Sequence, residues 1–303
     1  MGPAQWGMLT LLALLWGGSF FLAEIALNDV PPFTLVFCRV FLAALTLHII
    51  VFASGKRMPG NSKIWIAFLG MGLLNNAIPF SLIFWGQTSI TGGLASILNA
   101  TTPLWTVLLA QFLTRDERMT PNKLVGVLIG FGGVALMLGP GLLGALGSNI
   151  LAQAAILMAA LSYGFAGIFG RRFQSIPPIM TATGQLTCST ILMLPVVAYM
   201  ESPWQLDMPG LSPILAILFL AFFSTAFAYI LFFKLLASAG AINLSLATFL
   251  VPVSAIVLGG LFLAETLTRN QVTGMLLIGL GLITIDGRLP RWVLAKMRRS
   301  TSS

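Results

Sequence analysis

The sequence predicts an all-α membrane protein, with ten transmembrane helices in two inverted five-helix repeats around a central cavity. Three observations predict it. The 303-residue chain is 57% hydrophobic and only 8% charged, with a mean hydropathy of +0.97; a soluble domain carries roughly 25% charged residues. Apolar runs recur to the end of the chain, several long enough to cross a hydrocarbon core of about 30 Å. The second half repeats the proline, glutamate and glycine punctuation of the first.

Taken in order, the apolar runs fall at 6–27, 33–53, 64–84, 92–113, 123–138, 150–170, 179–200, 211–234, 241–263 and 272–285. The first run has no basic flank before it and no small-residue cleavage site after it, so it reads as a retained span. The second carries Arg39 about two turns in. The third carries Asn75 four residues before Pro79. The fourth is interrupted by Pro103, four residues after Asn99. Proline lacks an N–H and clashes with the carbonyl four residues back, so the Asn99 carbonyl is predicted to be freed. A membrane helix tolerates that only where another helix, a polar side chain or a water-filled cavity satisfies it. The fifth holds Gly126 and Gly130, small residues that allow close helix contact. Tyr163 lies inside the sixth. The seventh places Gln185 where the second has Arg39, and Pro195 reads as a plain kink. The eighth holds Ser224 and Thr225, the ninth Thr248 four residues before Pro252, and the tenth Gly274, Gly279 and Gly281. The connecting segments are short, the longest being 201–210, so function must reside in the bundle.

Charge fixes the expected orientation. Lys56, Arg57, Lys63, Arg115, Arg118, Lys123, Arg171, Arg172, Arg288, Arg291, Lys296, Arg298 and Arg299 all follow even-numbered runs. The opposite turns hold Arg269 with Asp29, Glu201 and Asp207. Short Lys/Arg-rich loops stay cytoplasmic, so both termini are expected inside. This placement explains the net charge of +8 without nucleic acid. Cys38 and Cys188 fall within runs and say little about redox compartment.

The repeat is legible in spacing. Pro31-Pro32 matches Pro177-Pro178 (178 − 32 = 146), and Pro103 matches Pro252 (252 − 103 = 149). Glu117-x-Met-Thr matches Glu265-x-Leu-Thr (265 − 117 = 148). The expected units are 1–140 and 149–287, followed by a basic cytoplasmic tail, 288–303. Five helices per unit is an odd number, so the second unit inserts upside down. Inverted repeats with a midplane site at their interface are a secondary-transporter signature.

The Trp16-Gly-Gly-Ser19 segment, Arg39, the Asn99-x3-Pro103 helix and the two Glu-x-(Met/Leu)-Thr hairpins resemble the EamA-type branch of the drug/metabolite transporter superfamily. The likeness covers nearly the whole chain. It implies ten helices in two inverted repeats, with a cavity lined by helices 1, 3, 4, 6, 8 and 9. Within the family, the general likeness is to bacterial aromatic amino-acid exporters. That implies a carrier of neutral, hydrophobic amino acids in the inner membrane of a bacterium.

The predicted substrate-binding set is Trp16, Asn75, Asn76, Phe80, Asn99, Pro103, Tyr163, Ser224, Tyr229, Thr248 and Pro252. Freed carbonyls and amide or hydroxyl groups would hold a polar solute, and the aromatics would box its apolar part. Helix-to-helix hydrogen bonding and core packing are the alternatives for the polar and aromatic members respectively. Arg39 could bind a substrate carboxylate or pair with Glu24, and the pairing is preferred because helix 2 lies outside the implied cavity set. Lys234 is expected to end helix 8 and snorkel to the interface. Glu117 and Glu265 are expected to cap the hairpins that open the next helices. Trp6, Trp65, Trp85, Trp204 and Trp292 read as interfacial anchors.

One His and eight acids, with no catalytic or metal-like cluster, argue against a membrane enzyme. No Walker motif is present, and neither a cofactor nor a metal is expected. No acid falls at mid-depth, which favours a facilitated or weakly coupled carrier; a proton-driven drug/metabolite efflux carrier and a channel stay open. The expected partners are a small-molecule substrate and the lipid bilayer, with the chain a monomer or, through its glycines, a homodimer.

Overall fold

Prolines start the helices where their missing N–H costs least. In the computed structural model, which describes residues 2–114, 119–138, 148–244 and 247–286, Pro32 and Pro178 are the first residues of α2 (Pro32–Ala53) and α9 (Pro178–Met200). An N–H at that position has no intrahelical partner to lose. Arg115, Glu117 and Arg118 of the first Glu hairpin, Trp292 and the 288–303 tail lie outside the described residues.

Helix occupies nearly all of the described part of every apolar run, with a break inside the fourth. After α1 (Pro3–Ala26) and α2 come α3 (Ser62–Gly72) and α4 (Ile78–Gln87), joined by a π-helical turn at Leu73–Ala77. Then follow α5 (Gly92–Asn99), α6 (Thr102–Leu113), α7 (Pro121–Leu138), α8 (Ser148–Phe169) and α9. A second π-helical turn, Phe222–Phe227, joins α10 (Leu211–Ala221) to α11 (Ala228–Leu244), and α12 (Ala247–Phe262) and α13 (Arg269–Asp286) complete the order. Among the described residues there is no strand. Seven segments are long and apolar enough to cross a membrane: Pro3–Ala26, Pro32–Ala53, Ser62–Gln87, Gly92–Leu113, Asn149–Phe173, Pro178–Met200 and Leu211–Phe232. Pro121–Leu136, Leu250–Phe262 and Arg269–Ile285 are shorter apolar helices.

Two boundaries differ from expectation. Helix continues ten residues past Lys234, to Leu244, because the Ala/Ser/Gly segment after it contains no proline to stop it. Lys234 is therefore mid-helix on an exposed face rather than at a helix end. The two proline-bearing runs also part company. The fourth is broken at Ala100–Thr101, one residue upstream of α6, so Pro103 becomes the second residue of a new helix. Its freed Asn99 carbonyl accepts the Thr102 hydroxyl at 2.8 Å. In the ninth run α12 begins at Ala247 and runs through Pro252 unbroken.

Small residues set the closest helix approaches, as expected where lipid and Leu are equally apolar. A Cβ added to Gly126 of α7 would stand 2.6 Å from the Gly281 carbonyl of α13, and one on Gly133 would stand 2.6 Å from the Gly274 carbonyl. The glycines of these two helices therefore form a seam within one chain, leaving Gly279 open. At Gly17 of α1 an added Cβ would meet the Val251 carbonyl of α12 at 2.6 Å.

The acids are used as caps supplied from distant parts of the chain. Glu201 accepts the Phe33 and Thr34 N–H groups at 2.9 and 2.6 Å and the Thr34 hydroxyl at 2.7 Å, closing the N-terminus of α2. Asp29 accepts the Gly210 N–H at 2.8 Å, just before α10. Glu24 and Glu265 accept the Gly92 and Gly93 N–H groups of α5 at 2.8 and 2.9 Å. Each carboxylate sits on the partly positive end of a helix, where orphan N–H groups need acceptors. Glu265 was expected to cap its own hairpin and instead caps a helix 172 positions away. Ala264 just before it (φ 54°) and Ser202 just after Glu201 (φ 44°) both adopt the left-handed region, a conformation few non-glycine residues take.

Candidate functional site: a cavity open at one end

A cavity of ≈920 Å³ lies at the centre of the bundle. Its wall takes Trp16 and Ser19 from α1, Asn75 and Phe80 from the α3–α4 segment, and Asn99, Thr102 and Thr106 from α5 and α6. Tyr163 comes from α8, Thr181 and Gln185 from α9, Ser224, Thr225 and Tyr229 from the second π turn and α11, and Thr248 and Val251 from α12. The wall is mostly apolar with a few placed polar groups, the usual character of a small-molecule site.

Of the sequence-predicted set, Trp16, Asn75, Phe80, Asn99, Tyr163, Ser224, Tyr229 and Thr248 line this cavity. The structure does not bring Asn76, Pro103 or Pro252 to its surface. Asn76 is fully buried behind the wall, its amide donating to Ser189 Oγ at 3.2 Å and its Oδ1 accepting the Tyr229 hydroxyl at 3.0 Å. Pro252 is buried within α12, and Pro103 shapes the wall by setting where α6 begins.

The two π turns explain why polar groups gather here. A π turn inserts a residue into the ladder and frees a carbonyl, and such turns cluster at functional sites. Here Ser162 of α8 donates to the Leu74 carbonyl at 2.7 Å and Ser189 of α9 to the Gly72 carbonyl at 3.0 Å. The Asn75 amide donates to Gln185 Oε1 and to the Tyr229 hydroxyl, each at 3.1 Å. In the second turn Thr225 donates to the Leu220 carbonyl at 2.8 Å. The turns lie 149 positions apart (222 − 73 = 149), the spacing that also separates Pro103 from Pro252.

Other polar atoms have no partner. Asn99 Oδ1, Ser224 Oγ, Thr181 Oγ1 and Gln87 Oε1 are buried without a hydrogen bond, and all four residues line the cavity. Buried polar atoms are normally satisfied, so these are groups a solute or water can engage. Trp16 packs against Phe232 with ring centroids 5.7 Å apart, forming an apolar wall beside them.

Arg39 corrects a sequence expectation. It does not pair with Glu24, which is held at the α5 N-terminus. Its Nε–H donates to Thr225 Oγ1 at 2.8 Å, and its guanidinium lies 4.0 Å from the Phe80 ring centroid and 5.6 Å from that of Phe84. α2 thus contributes a charged residue to a cavity that the implied helix set leaves it out of. Spacing along α2 places Arg39 in depth but carries no signal for a partner 186 positions away.

Among the described residues, the cavity wall is exposed at one end and buried at the other. Gln174 and Pro178, both exposed, line it at the turn between α8 and α9. At the opposite end the buried Gln87 amide donates to the Phe20 carbonyl at 2.9 Å. Beyond it, Glu24 and Glu265 meet over the buried Gly92 and Gly93.

A wall of this kind, reached from one face of an apolar bundle, is what a solute carrier requires. Comparison with known proteins agrees, matching the EamA-like transporter family twice along the chain, over residues 5–139 and 150–285. The chain belongs to that family. Its relatives include the uncharacterized transporter YoaV of Bacillus subtilis (strain 168), 26% identical over 89% of this chain and 92% of YoaV. The uncharacterized inner membrane transporter YedA of Escherichia coli (strain K12) is 25% identical over 92% of this chain and 90% of YedA. Protein PecM of Dickeya dadantii (strain 3937) is 26% identical over 89% and 88%. A solved crystal structure superposes with a TM-score of 0.67 at 20% identity, covering 93% of this chain and 97% of its own, and shares the fold. The central cavity is thus the candidate site of an EamA-like transporter.

Proposed function

We propose that the chain is an inner-membrane carrier that exports small organic solutes, neutral and aromatic amino acids first, by alternating access around this cavity. The observation that carries the reading is the cavity itself, ≈920 Å³ with unpartnered polar atoms and an aromatic wall that, among the described residues, is exposed at the α8–α9 turn and buried at the Gln87 end. A channel would need a continuous path through both ends. YedA is named an inner membrane transporter, which supports the location. The amino-acid class rests on a general likeness to the bacterial aromatic amino-acid exporter YddG.

Ten spans in two inverted units, 1–140 and 149–287, with both termini cytoplasmic, belong to the same proposal. The paired family match and the paired π turns support the repeat, and the basic turns support the orientation. In that orientation the cavity opens to the cytoplasm. The bonds of Asn99, Thr248, Ser224 and Asn75 to solute would then form on the loading side.

The test is counterflow of radiolabelled phenylalanine in proteoliposomes. Saturable exchange without an imposed pH gradient is expected. Linear, non-saturating flux would overturn the carrier in favour of a pore. A second reading, a proton-driven broad-specificity efflux carrier, is favoured by the two carboxyl groups that meet at the closed end. Strict dependence of exchange on an imposed pH gradient would select it.

A further inference from the structure

Arg39 is 5% exposed, lies within an apolar span and is charged at any physiological pH. An ionisable group at such depth is costly and is kept there by a partner or a use. No acid whose side chain is described supplies the partner. Glu24, Asp29, Glu201 and Glu265 are each bound to backbone N–H groups at helix starts, and Asp207 is exposed in a turn. The titratable side chains that face Arg39 are Tyr163 and Tyr229, both neutral as phenols.

The guanidinium is nonetheless held in place. Thr225 accepts its Nε–H at 2.8 Å while donating its own hydroxyl proton to Leu220, so the Thr225 lone pairs are turned toward the arginine. Phe80 lies against its face at 4.0 Å. That accounts for one of five N–H donors. Among the described residues no acceptor is placed against the other four, and Arg39 is part of the cavity wall. An anchored, desolvated guanidinium with a free fork is suited to bidentate binding of a planar oxyanion. Ser224 Oγ, buried (1% exposed) and without a partner, lies one residue from Thr225 in the same wall.

We propose that Arg39 binds the carboxylate of the transported solute, so that the substrates are carboxylates carrying an apolar body and amines lacking a carboxylate are rejected. This rests on the carrier reading above. The aromatic rings beside the guanidinium favour a monoanionic carboxylate over a dianionic phosphate, whose second charge they cannot compensate.

Thermal shift and binding on the purified full chain test it with four ligands of one shape: phenylalanine, 3-phenylpropionate, phenethylamine and phenyl phosphate. Phenylalanine and 3-phenylpropionate are expected to bind, and phenethylamine to bind at least about tenfold more weakly. Arg39→Lys keeps the charge without the fork and is expected to weaken carboxylate binding by about tenfold. Arg39→Gln is expected to abolish the preference for carboxylates; a residue that only braced helices would lower the melting temperature and leave that preference intact. Equal binding of phenethylamine, preferred binding of phenyl phosphate, or no shift with either carboxylate overturns the proposal. Saturable counterflow with no carboxylate preference would sink this inference alone, whereas linear flux would sink the carrier reading beneath it.

Discussion

Gly259→Ala should unlatch the closed end of the cavity without unfolding the protein. A Cβ at position 259 would stand 2.6 Å from Glu265 Cδ and Oε1 and 2.8 Å from Oε2. These atoms are the far end of a flexible side chain, so the carboxylate moves and the helix does not. The Gly93 N–H then loses the acceptor it holds at 2.9 Å. Loss of one charged helix cap costs roughly 1–2 kcal/mol. If that cap forms only while the end is closed, the ratio of closed to open shifts by a factor of about 5–30. Ser96, fully buried in the cavity wall along α5, gives the readout. In a chain with Cys38 and Cys188 replaced by serine, Ser96→Cys should react with an impermeant thiol reagent from the α5 end several-fold faster when Gly259→Ala is present. Glu265→Gln, which keeps the shape and an acceptor but not the charge, should give a smaller increase. An unchanged labelling rate in Gly259→Ala, with melting temperature also unchanged, would refute the latch.

Asn99→Ala removes an Oδ1 that has no internal partner, so melting temperature should hold while amino-acid counterflow falls; loss of folded protein on size-exclusion chromatography would instead place Asn99 in the scaffold. Gly281→Ala drives a Cβ to 2.7 Å from Gly130 N and against the Gly126 carbonyl, backbone atoms that cannot yield; it should cost about 1–3 kcal/mol in a detergent unfolding assay. Gly132→Ala, with nothing within 4 Å, is the matched control and should be neutral. Tyr229→Phe removes one acceptor of Asn75, which keeps Gln185, and the donor to the fully buried Asn76; leaving Asn76 Oδ1 unmet should cost about 1–3 kcal/mol.

What the sequence makes legible is what local physics decides. Long apolar runs, paired prolines at helix starts and small residues at helix contacts are each properties of neighbouring residues, and α1, α2, α7, α9 and α13 lie where those properties place them. The Asn99–Pro103 spacing coincides with a break, but the same spacing at Thr248–Pro252 lies inside an unbroken α12, so a proline's four-residue clash marks a weak point without deciding whether the helix parts there. The π turns have no such signature. Each is an insertion in the ladder that becomes tolerable once distant groups satisfy it, as Ser162 and Ser189 do for Leu74 and Gly72. The partners of Arg39 and Glu265, 186 and 172 positions away, likewise leave no mark in the residues around them.

The two ends of the charge account are linked. A carboxylate in an apolar bundle is least costly where several N–H dipoles converge, which is a helix N-terminus. Glu24, Asp29, Glu201 and Glu265 each take such a place, and each thereby ties together segments far apart in the chain. With these four acids bound at helix starts, Arg39 is the charged residue of the described cavity wall, set among hydroxyls, amides and ring faces. A low-dielectric wall strengthens the field of that charge rather than screening it. The same economy that gathers carboxyl groups at the Gln87 end of the cavity leaves a guanidinium in its described wall. On the proposed role of Arg39, selectivity for anionic head groups would follow from where the acids are used, beyond any single contact a substrate makes.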